Sequence, residues 1–168
     1  MATKKNVQIS HQKISEAPEH VDQNQYIPVI NGYHGVLVYT DSRTGETYTW
    51  SEFGDIQEME LKELRNAKNT KKFFFENNYF LFDDEYSWVI DYLRVNDLYK
   101  NTISVDGYSE LFTKAPSDMV KIIKTMTDGQ KESLARCAQD KIASGEIDSI
   151  KIVRALEDGL GVTLIEEK

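Results

Sequence analysis

The sequence predicts an α+β protein, in which a small N-terminal antiparallel β-sheet or partial barrel with a packed helix precedes a C-terminal helical bundle. Three observations predict this class. Apolar residues alternate with period two between residues 26 and 60, they recur at helical spacing from residue 84 onward, and 40% hydrophobic residues are typical of a folded core. We therefore divide the chain into a polar N-terminal arm (1–25), a β-rich domain (26–83) and a helical domain (84–168).

The arm is rich in Gln, Asn, Ser, His and Lys and contains only scattered Val and Ile. Such a segment cannot bury enough apolar surface to offset the entropy that it loses on ordering. We therefore interpret residues 1–25, taken alone, as a tail, which contact with a neighbouring subunit would hold in place. We expect it to lie as an extended arm on a neighbouring subunit.

The β-rich domain contains short period-two runs separated by turn residues. The turn Asp41 to Gly45 lies between two such runs, and Gly45 is expected to adopt positive φ there. This pattern predicts a β-hairpin, a further short strand and then a helix. The predicted strands are Ile27–Asn31, Gly35–Thr40, Glu46–Ser51 and Ile56–Glu60, and the predicted helix is Leu61–Lys68.

An aromatic run, "KKFFFENNYFLFDD", follows from Lys71 to Asp84. Three consecutive phenylalanines on a helix cover about 200° of its circumference, so Phe73, Phe74 and Phe75 cannot all face one core. The strand predicted at Tyr79 to Phe82 is apolar on both faces and needs covering on both sides.

The helical domain begins where Asp83 and Asp84 are expected to cap a helix. Apolar residues of this helix fall on two different sides, so we interpret it as a bridge between the two domains. Four further helices are expected. They are a short helix in "GYSELFT", a helix opened by Pro116, a helix with a Thr127 and Gln130 capping box, and a last helix that begins at Asp148 or Ser149 and ends at Gly159 or Gly161.

Motifs that carry chemistry are missing from the sequence. The three histidines lack metal-ligand spacing, the single Cys137 lies at a helix-interior position, and Gly32 to Gly35 is better explained as a turn than as a KH nucleic-acid loop. The net charge of −8 disfavours direct binding to nucleic acid. We therefore expect no enzymatic activity, no cofactor, no metal, no small-molecule substrate and no membrane span.

The aromatic residues are the unusual resource of this chain. They exceed what a sheet of about four short strands hides, so we expect part of them to contact the helical domain or another subunit. The polar hairpin tip is a second candidate for partner contact. The predicted partner-binding residues are Arg43 and Thr44 at the tip and Phe73, Phe75, Trp88 and Tyr92 on the aromatic face.

Four segments together carry a resemblance: "GVLVYTDSRTGETYTW", "FGDIQEMELKELRNA", "FFENNYFLFDD" and "IASGEIDSIKIVRALEDGLGV". In these the chain resembles a type of small protein found in tailed bacteriophages. The resemblance implies a structural or adaptor subunit of a virion, in which several copies contact each other or a capsid, connector or tail protein. The implied location is the virion or the cytoplasm of the bacterial host during assembly, and no residue roles are implied.

An acidic inhibitor is the alternative class. Such a protein imitates DNA phosphates with carboxylates and blocks a nuclease or another DNA-binding protein, which the charge of −8 allows. Lysines at positions 62, 68, 71 and 72 interrupt the acidic run around Glu58, Glu60 and Glu63, whereas mimicry needs an unbroken anionic strip. We therefore favour the structural role.

Overall fold

The computed structural model describes residues 9–166, and it has the α+β class that the sequence predicts. The strands are β1 (Tyr26–Asn31), β2 (Leu37–Thr40), β3 (Thr47–Trp50), β4 (Ile56–Glu60) and β5 (Phe80–Leu81). The helices are α1 (Leu61–Thr70), α2 (Phe73–Glu76), α3 (Trp88–Tyr92), α4 (Val105–Leu111), α5 (Pro116–Thr125), α6 (Asp128–Ala143) and α7 (Ile150–Leu160). Short 3-10 helices lie at Asp84–Tyr86 and Asn96–Leu98.

The strands form two small antiparallel sheets. One sheet has the order β4-β1-β5, and the other is the predicted hairpin of β2 and β3, in which Gly45 has a φ of 74°. The hairpin lies over the first sheet, because the Trp50 indole N–H donates to the Val29 carbonyl at 2.9 Å. The alternation in β1 buries Ile27 and Val29 on the side that faces the core.

Buried apolar side chains form two clusters. The first runs from Ile27 to Tyr99, and the second contains Ile9 together with residues between Ile103 and Leu156. The sequence placed the domain boundary at residue 83, but α3 buries Val89 and Ile90 in the first cluster, so the two clusters divide after Tyr99. The bridge helix is also shorter than expected, because the chain leaves α3 at Arg94 with a φ of 58°.

Side-chain amides bind backbone groups at the boundary between the two clusters and within the second cluster. The Thr127 hydroxyl caps α6 by accepting the Gln130 N–H at 3.4 Å, as the capping box predicts. The Gln130 amide, however, does not return to the cap, because it accepts the Ile103 N–H and donates to the Ile103 carbonyl, each at 2.8 Å. Asn78 accepts the Thr127 hydroxyl at 2.6 Å and donates to the Leu98 carbonyl at 2.8 Å. Asn78 therefore connects the first cluster to the start of α6, whereas Gln130 binds Ile103 within the second cluster.

The described part of the arm, residues 9–25, packs against its own chain, and its expected contact with a neighbouring subunit stays a prediction. His11 pairs with Ile103 in an antiparallel bridge, and the Gln12 N–H donates to the Thr102 carbonyl at 2.8 Å. The arm has few apolar residues, and polar side chains supply the hydrogen bonds that hold it. Its first eight residues lie outside the described range.

Gly129 tests how closely α6 approaches the aromatic segment. A Cβ at this position would lie 2.3 Å from the Asn77 carbonyl oxygen, which is backbone and cannot rotate away. Helix propensity alone favours Gly129→Ala by up to about 1 kcal/mol. We instead expect the variant to be destabilised by about 1 to 3 kcal/mol in urea unfolding, because the overpacked site must shift. An unchanged or raised stability would contradict the close packing of α6 on Asn77.

Candidate protein-interaction surface

The hairpin tip folds back onto its own chain. The Thr44 hydroxyl donates to Asp41 at 3.0 Å, and the Arg43 guanidinium lies 3.3 Å from a carboxylate oxygen of Glu63. The Arg43 side chain is nevertheless 60% exposed. Both predicted contact residues therefore stabilise the turn, and their role toward a partner stays a prediction.

A buried carboxyl pair lies beneath this tip, and sequence reasoning missed it. Asp41 is 2% exposed and Glu63 is 7% exposed, and the Tyr39 hydroxyl donates to Glu63 at 2.8 Å. A hydrogen bond from Glu63 lowers the pKa of Asp41 to about 2, whereas burial and the adjacent Asp41 raise the pKa of Glu63. The two neighbouring carboxyl groups therefore have pKa values that are shifted in opposite directions. The sequence gives no signal for this pair, because Glu63 has the residue type and position of an ordinary solvent-facing helix residue.

Most of the aromatic run belongs to the core, so the hypothesis of surplus aromatics is wrong for Phe74, Phe75, Phe80 and Phe82. All four are less than 5% exposed. Phe74 stacks on Phe80 with ring centroids 4.9 Å apart, and Phe75 meets Phe80 edge-on at 5.4 Å. The hairpin covers the other side, because Trp50 lies 5.5 Å from the Phe80 ring. The strand that is apolar on both faces is therefore covered by this chain itself, and the prediction of Phe75 as a partner contact is corrected.

Trp88 and Tyr92 are half-buried against the first cluster. Their rings meet edge-to-face at 6.1 Å, and the Gln23 amide donates to the Tyr92 hydroxyl. These contacts place both residues under the end of the arm. A partner can therefore contact only the part of each side chain that solvent reaches.

Phe73 is the predicted aromatic residue that the structure leaves exposed, at 49%. Its ring lies 6.5 Å from Tyr79, and Tyr79 lies 5.0 Å from Tyr33. Arg136 of α6 lies over the Tyr33 ring at 5.3 Å. We call Phe73, Tyr79 and Tyr33 the aromatic patch. It begins on the β-rich part and ends at α6, and it offers ring faces and edges to solvent.

The outer edge of β2 lies close to this patch. The Asp41 N–H donates to the Glu46 carbonyl across the hairpin. Because hydrogen-bonded and non-hydrogen-bonded positions alternate along an antiparallel strand, the backbone groups of Val36 and Val38 point away from β3. The Val36 and Val38 side chains are 61% and 48% exposed. We call residues 36–38 the open edge. At its Thr40 end the Lys71 ammonium donates to the Thr40 carbonyl, and Lys71 precedes Phe73 by two positions.

The turn that contains His34 meets α6. The His34 N–H donates to the Ser133 hydroxyl oxygen at 2.9 Å, and that hydroxyl donates to the Gly32 carbonyl at 3.1 Å. Since Ser133 has one proton to give, the imidazole Nδ1 at 2.6 Å donates to Ser133. Burial lowers the pKa of His34 to about 4. The segment joins strands, as the turn interpretation requires, and His34 is a neutral link between the sheet and α6.

Cys137 lines a recess of about 390 Å³ together with His34, Phe53 and Tyr108. Burial raises the pKa of the Cys137 thiol to about 11, and the neighbouring imidazole is neutral. A thiolate and imidazolium pair, which a cysteine nucleophile requires, therefore does not form at neutral pH.

A groove of about 610 Å³ runs beside the arm. Carboxylates of Asp83, Asp84, Glu85 and Asp106 line it, and Lys13 of the arm pairs with Asp84 at 3.0 Å. Within residues 9–166 no group of three His, Cys, Asp or Glu side chains lies close enough to hold a metal ion. None of the helices in the same range is long and apolar enough to cross a bilayer.

No protein-family model, curated protein or solved structure matches this chain. We therefore infer the function of this protein from the geometry of its surface. Among the sites above, the open edge with the aromatic patch combines exposed apolar side chains with unpaired backbone groups.

The carboxyl pair predicts a pH dependence of stability. The raised pKa of Glu63 contributes stability that is complete below its ordinary value of 4.5 and is lost as the pH rises through the folded value. The lowered pKa of Asp41 contributes stability that is complete above 3.8 and is lost as the pH falls toward about 2. In Glu63→Gln a neutral amide replaces the carboxyl. We expect wild-type stability, relative to this variant, to fall in urea unfolding as the pH rises above 4.5.

The exposed Glu58 supplies the matched control for this experiment, because Glu58→Gln removes the same charge from the surface of β4. The difference between wild type and Glu58→Gln is expected to stay constant over the same pH range. A constant difference for Glu63→Gln as well would contradict the raised pKa of Glu63.

Phe73 and Phe75 provide a matched pair for separating surface from core. Phe75→Ala removes a fully buried ring and is expected to cost about 3 to 5 kcal/mol of unfolding free energy. Phe73→Ala loses mainly a ring contact at 4.1 Å with Phe74 and is expected to cost about 1 kcal/mol. Equal losses in chemical denaturation would show that Phe73 belongs to the core.

Proposed function

We propose that this protein is a structural or adaptor subunit of a phage-like virion, which acts through protein–protein contacts. The observation that carries the proposal is the open edge of β2 beside the aromatic patch. The virion setting is supported by the sequence resemblance alone. The partners are other virion or assembly proteins, including further copies of this chain.

The open edge offers a partner a specific mode of contact. An extended segment that pairs with Val36 and Val38 satisfies their outward N–H and C=O groups and adds a strand to the hairpin. The exposed valine side chains and the Phe73 ring supply apolar area for such a contact. Natural edge strands are commonly blocked by charged side chains. Here the charges lie at the two ends of the edge, where Lys71 donates to the Thr40 carbonyl and Arg136 donates to the His34 carbonyl.

Binding is favoured over catalysis by the state of the titratable groups. Glu63 and Asp41 have the shifted pKa values of an acid and base pair, but their oxygens are occupied by Tyr39, Arg43 and Thr44. His34 and Cys137 are both neutral at pH 7. We therefore propose a protein without enzymatic activity.

Mimicry of DNA is less well supported. Surface carboxylates are interspersed with lysines in ion pairs, so the surface does not present an unbroken row of negative charge. These pairs are Lys13 with Asp84, Lys62 with Glu60, Lys100 with Asp97, and Lys141 with Glu146.

A charge placed on the open edge tests the proposal. Val38→Lys puts an exposed lysine at the edge, and Thr49→Lys puts one directly across the hairpin, on the side away from that edge. We expect Val38→Lys to weaken self-association, measured by sedimentation, by about tenfold or more, which corresponds to about 1.4 kcal/mol. Thr49→Lys is expected to leave it nearly unchanged.

Salt dependence separates the two function classes. The affinity of edge pairing is expected to be insensitive to salt. The affinity of a DNA mimic for a DNA-handling enzyme would instead fall steeply between low and moderate salt. Monomers at all concentrations, with no effect of either lysine on capture of particle proteins, would overturn the structural role.

A further inference from the structure

The arm binds the rest of the chain through a set of specific polar contacts. The Gln12 amide accepts the Phe82 N–H at 2.9 Å and donates to the Phe82 carbonyl at 2.8 Å, so it pairs with the end of β5 as a neighbouring strand would. Three further contacts between the arm and the body fix its register: Ser10 with Glu110, Lys13 with Asp84, and Ser15 with Ser87.

The fit of the arm is steric as well as polar. Gly107 of α4 lies against the Ser10 carbonyl oxygen, and a Cβ on Gly107 would come within 2.3 Å of it. Ile9 is 6% exposed and packs into the second cluster. The body therefore contains a site that is shaped for residues 9–17.

A short hinge connects this arm to the sheet. Pro18, Glu19 and His20 are exposed, and the chain bends at Glu19 and His20. Within residues 9–166 these three make no hydrogen bond or ion pair. On the far side of the hinge, the carbonyls of Gln23 and Gln25 accept the first N–H groups of α1 at 3.0 and 2.9 Å. The hinge is thus a free segment between two bound ones.

We propose that two copies of this chain exchange their arms, so that residues 9–17 of one copy occupy the arm site of the other. Straightening the bend at Glu19 and His20 directs the arm away from its own body. Every contact from Ser10 to Ala17 is then restored on the second copy, so exchange changes little besides the hinge. Short hinges favour such exchange over closure onto the same chain. The inference rests on the proposed function only in requiring more than one copy, and it uses a different surface from the open edge.

Ser15 and Ser87 allow a direct test, because their hydroxyl oxygens lie 2.7 Å apart. Cysteines at both positions are therefore close enough for a disulfide. We take full-length chains that carry Cys137→Ala, with Ser15→Cys in one and Ser87→Cys in the other. The two chains are mixed in urea, refolded together over a range of concentrations and oxidised mildly. Peptide mass spectrometry then quantifies the bond between positions 15 and 87.

The proposal predicts an interchain bond between positions 15 and 87 whose yield rises with protein concentration. That yield should be several-fold higher than in a mixture of Ser15→Cys with Ser42→Cys, which places a thiol on the exposed hairpin tip. Inserting a flexible Gly-Ser-Gly-Ser segment between Glu19 and His20 should lower the interchain yield several-fold, because a longer hinge allows closure.

A chain that carries both Ser15→Cys and Ser87→Cys identifies the opposite outcome, in which the arm binds only its own body. If it forms the bond within one chain while the mixture gives no more than the Ser42 control, the arm binds only its own body and the proposal is overturned. If neither sample forms the bond, the arm does not occupy this site and the proposal fails as well. Val38→Lys leaves the arm site intact, so its effect on association reports on the open edge alone.

Discussion

The packing of the β2–β3 hairpin over Phe80 is the contact on which the rest of the structure depends. Trp50 crosses from the hairpin to the Val29 carbonyl, and Tyr39 meets both Phe74 and Phe80. An aromatic strand that is apolar on both faces would otherwise expose one side to water, at a cost of about 25 cal/mol for each Å². The hairpin therefore covers the second face of this strand, which in an uncovered sheet would require contact with another subunit.

Polar side chains do an equally specific job between the two clusters. Gln12, Gln130 and Asn78 bind backbone N–H and C=O groups that would otherwise be buried without partners. An unsatisfied buried polar group costs about 1 to 3 kcal/mol, so each amide fixes the position of the loop that it binds. The sheet, the arm and α6 consequently hold one another in place, although few apolar side chains cross between them.

These constraints determine which surfaces remain available. Most of the aromatic run is used for the core. Besides the exposed side chains of Tyr26, Ile56, Ile150 and Val162, apolar side chains reach solvent in the aromatic patch and at the open edge of β2. Both lie on the part of the chain that precedes Tyr99. The arm adds a second kind of contact, because its site on the body is polar and specific for one sequence. The proposed strand addition at the open edge and the proposed exchange of arms use different surfaces, so they would join copies of the chain independently of each other.

The sequence by itself determined the class and most elements of this fold. Period-two alternation, the turn ending at Gly45, Pro116 at a helix start and Gly161 at a helix end are local signals, and the structure has each of them where it was expected. Local signals also marked Phe73 as one of three rings that could not share a face.

The tertiary structure alone decided where the polar arm goes and which aromatic residues are covered. The Gln12 side chain binds Phe82, which lies seventy positions later in the sequence, and Glu63 lies beside Asp41 beneath a turn. Because the two members of each pair are far apart in the sequence, no short segment of the sequence predicts either contact. Burial depends on which element lies opposite, and that is a property of the whole chain. Phe75 and Phe73 have the same residue type in the same short run. They differ in the structure because the Phe75 ring packs against the buried Phe80, whereas the Phe73 ring packs against Phe74 at the surface.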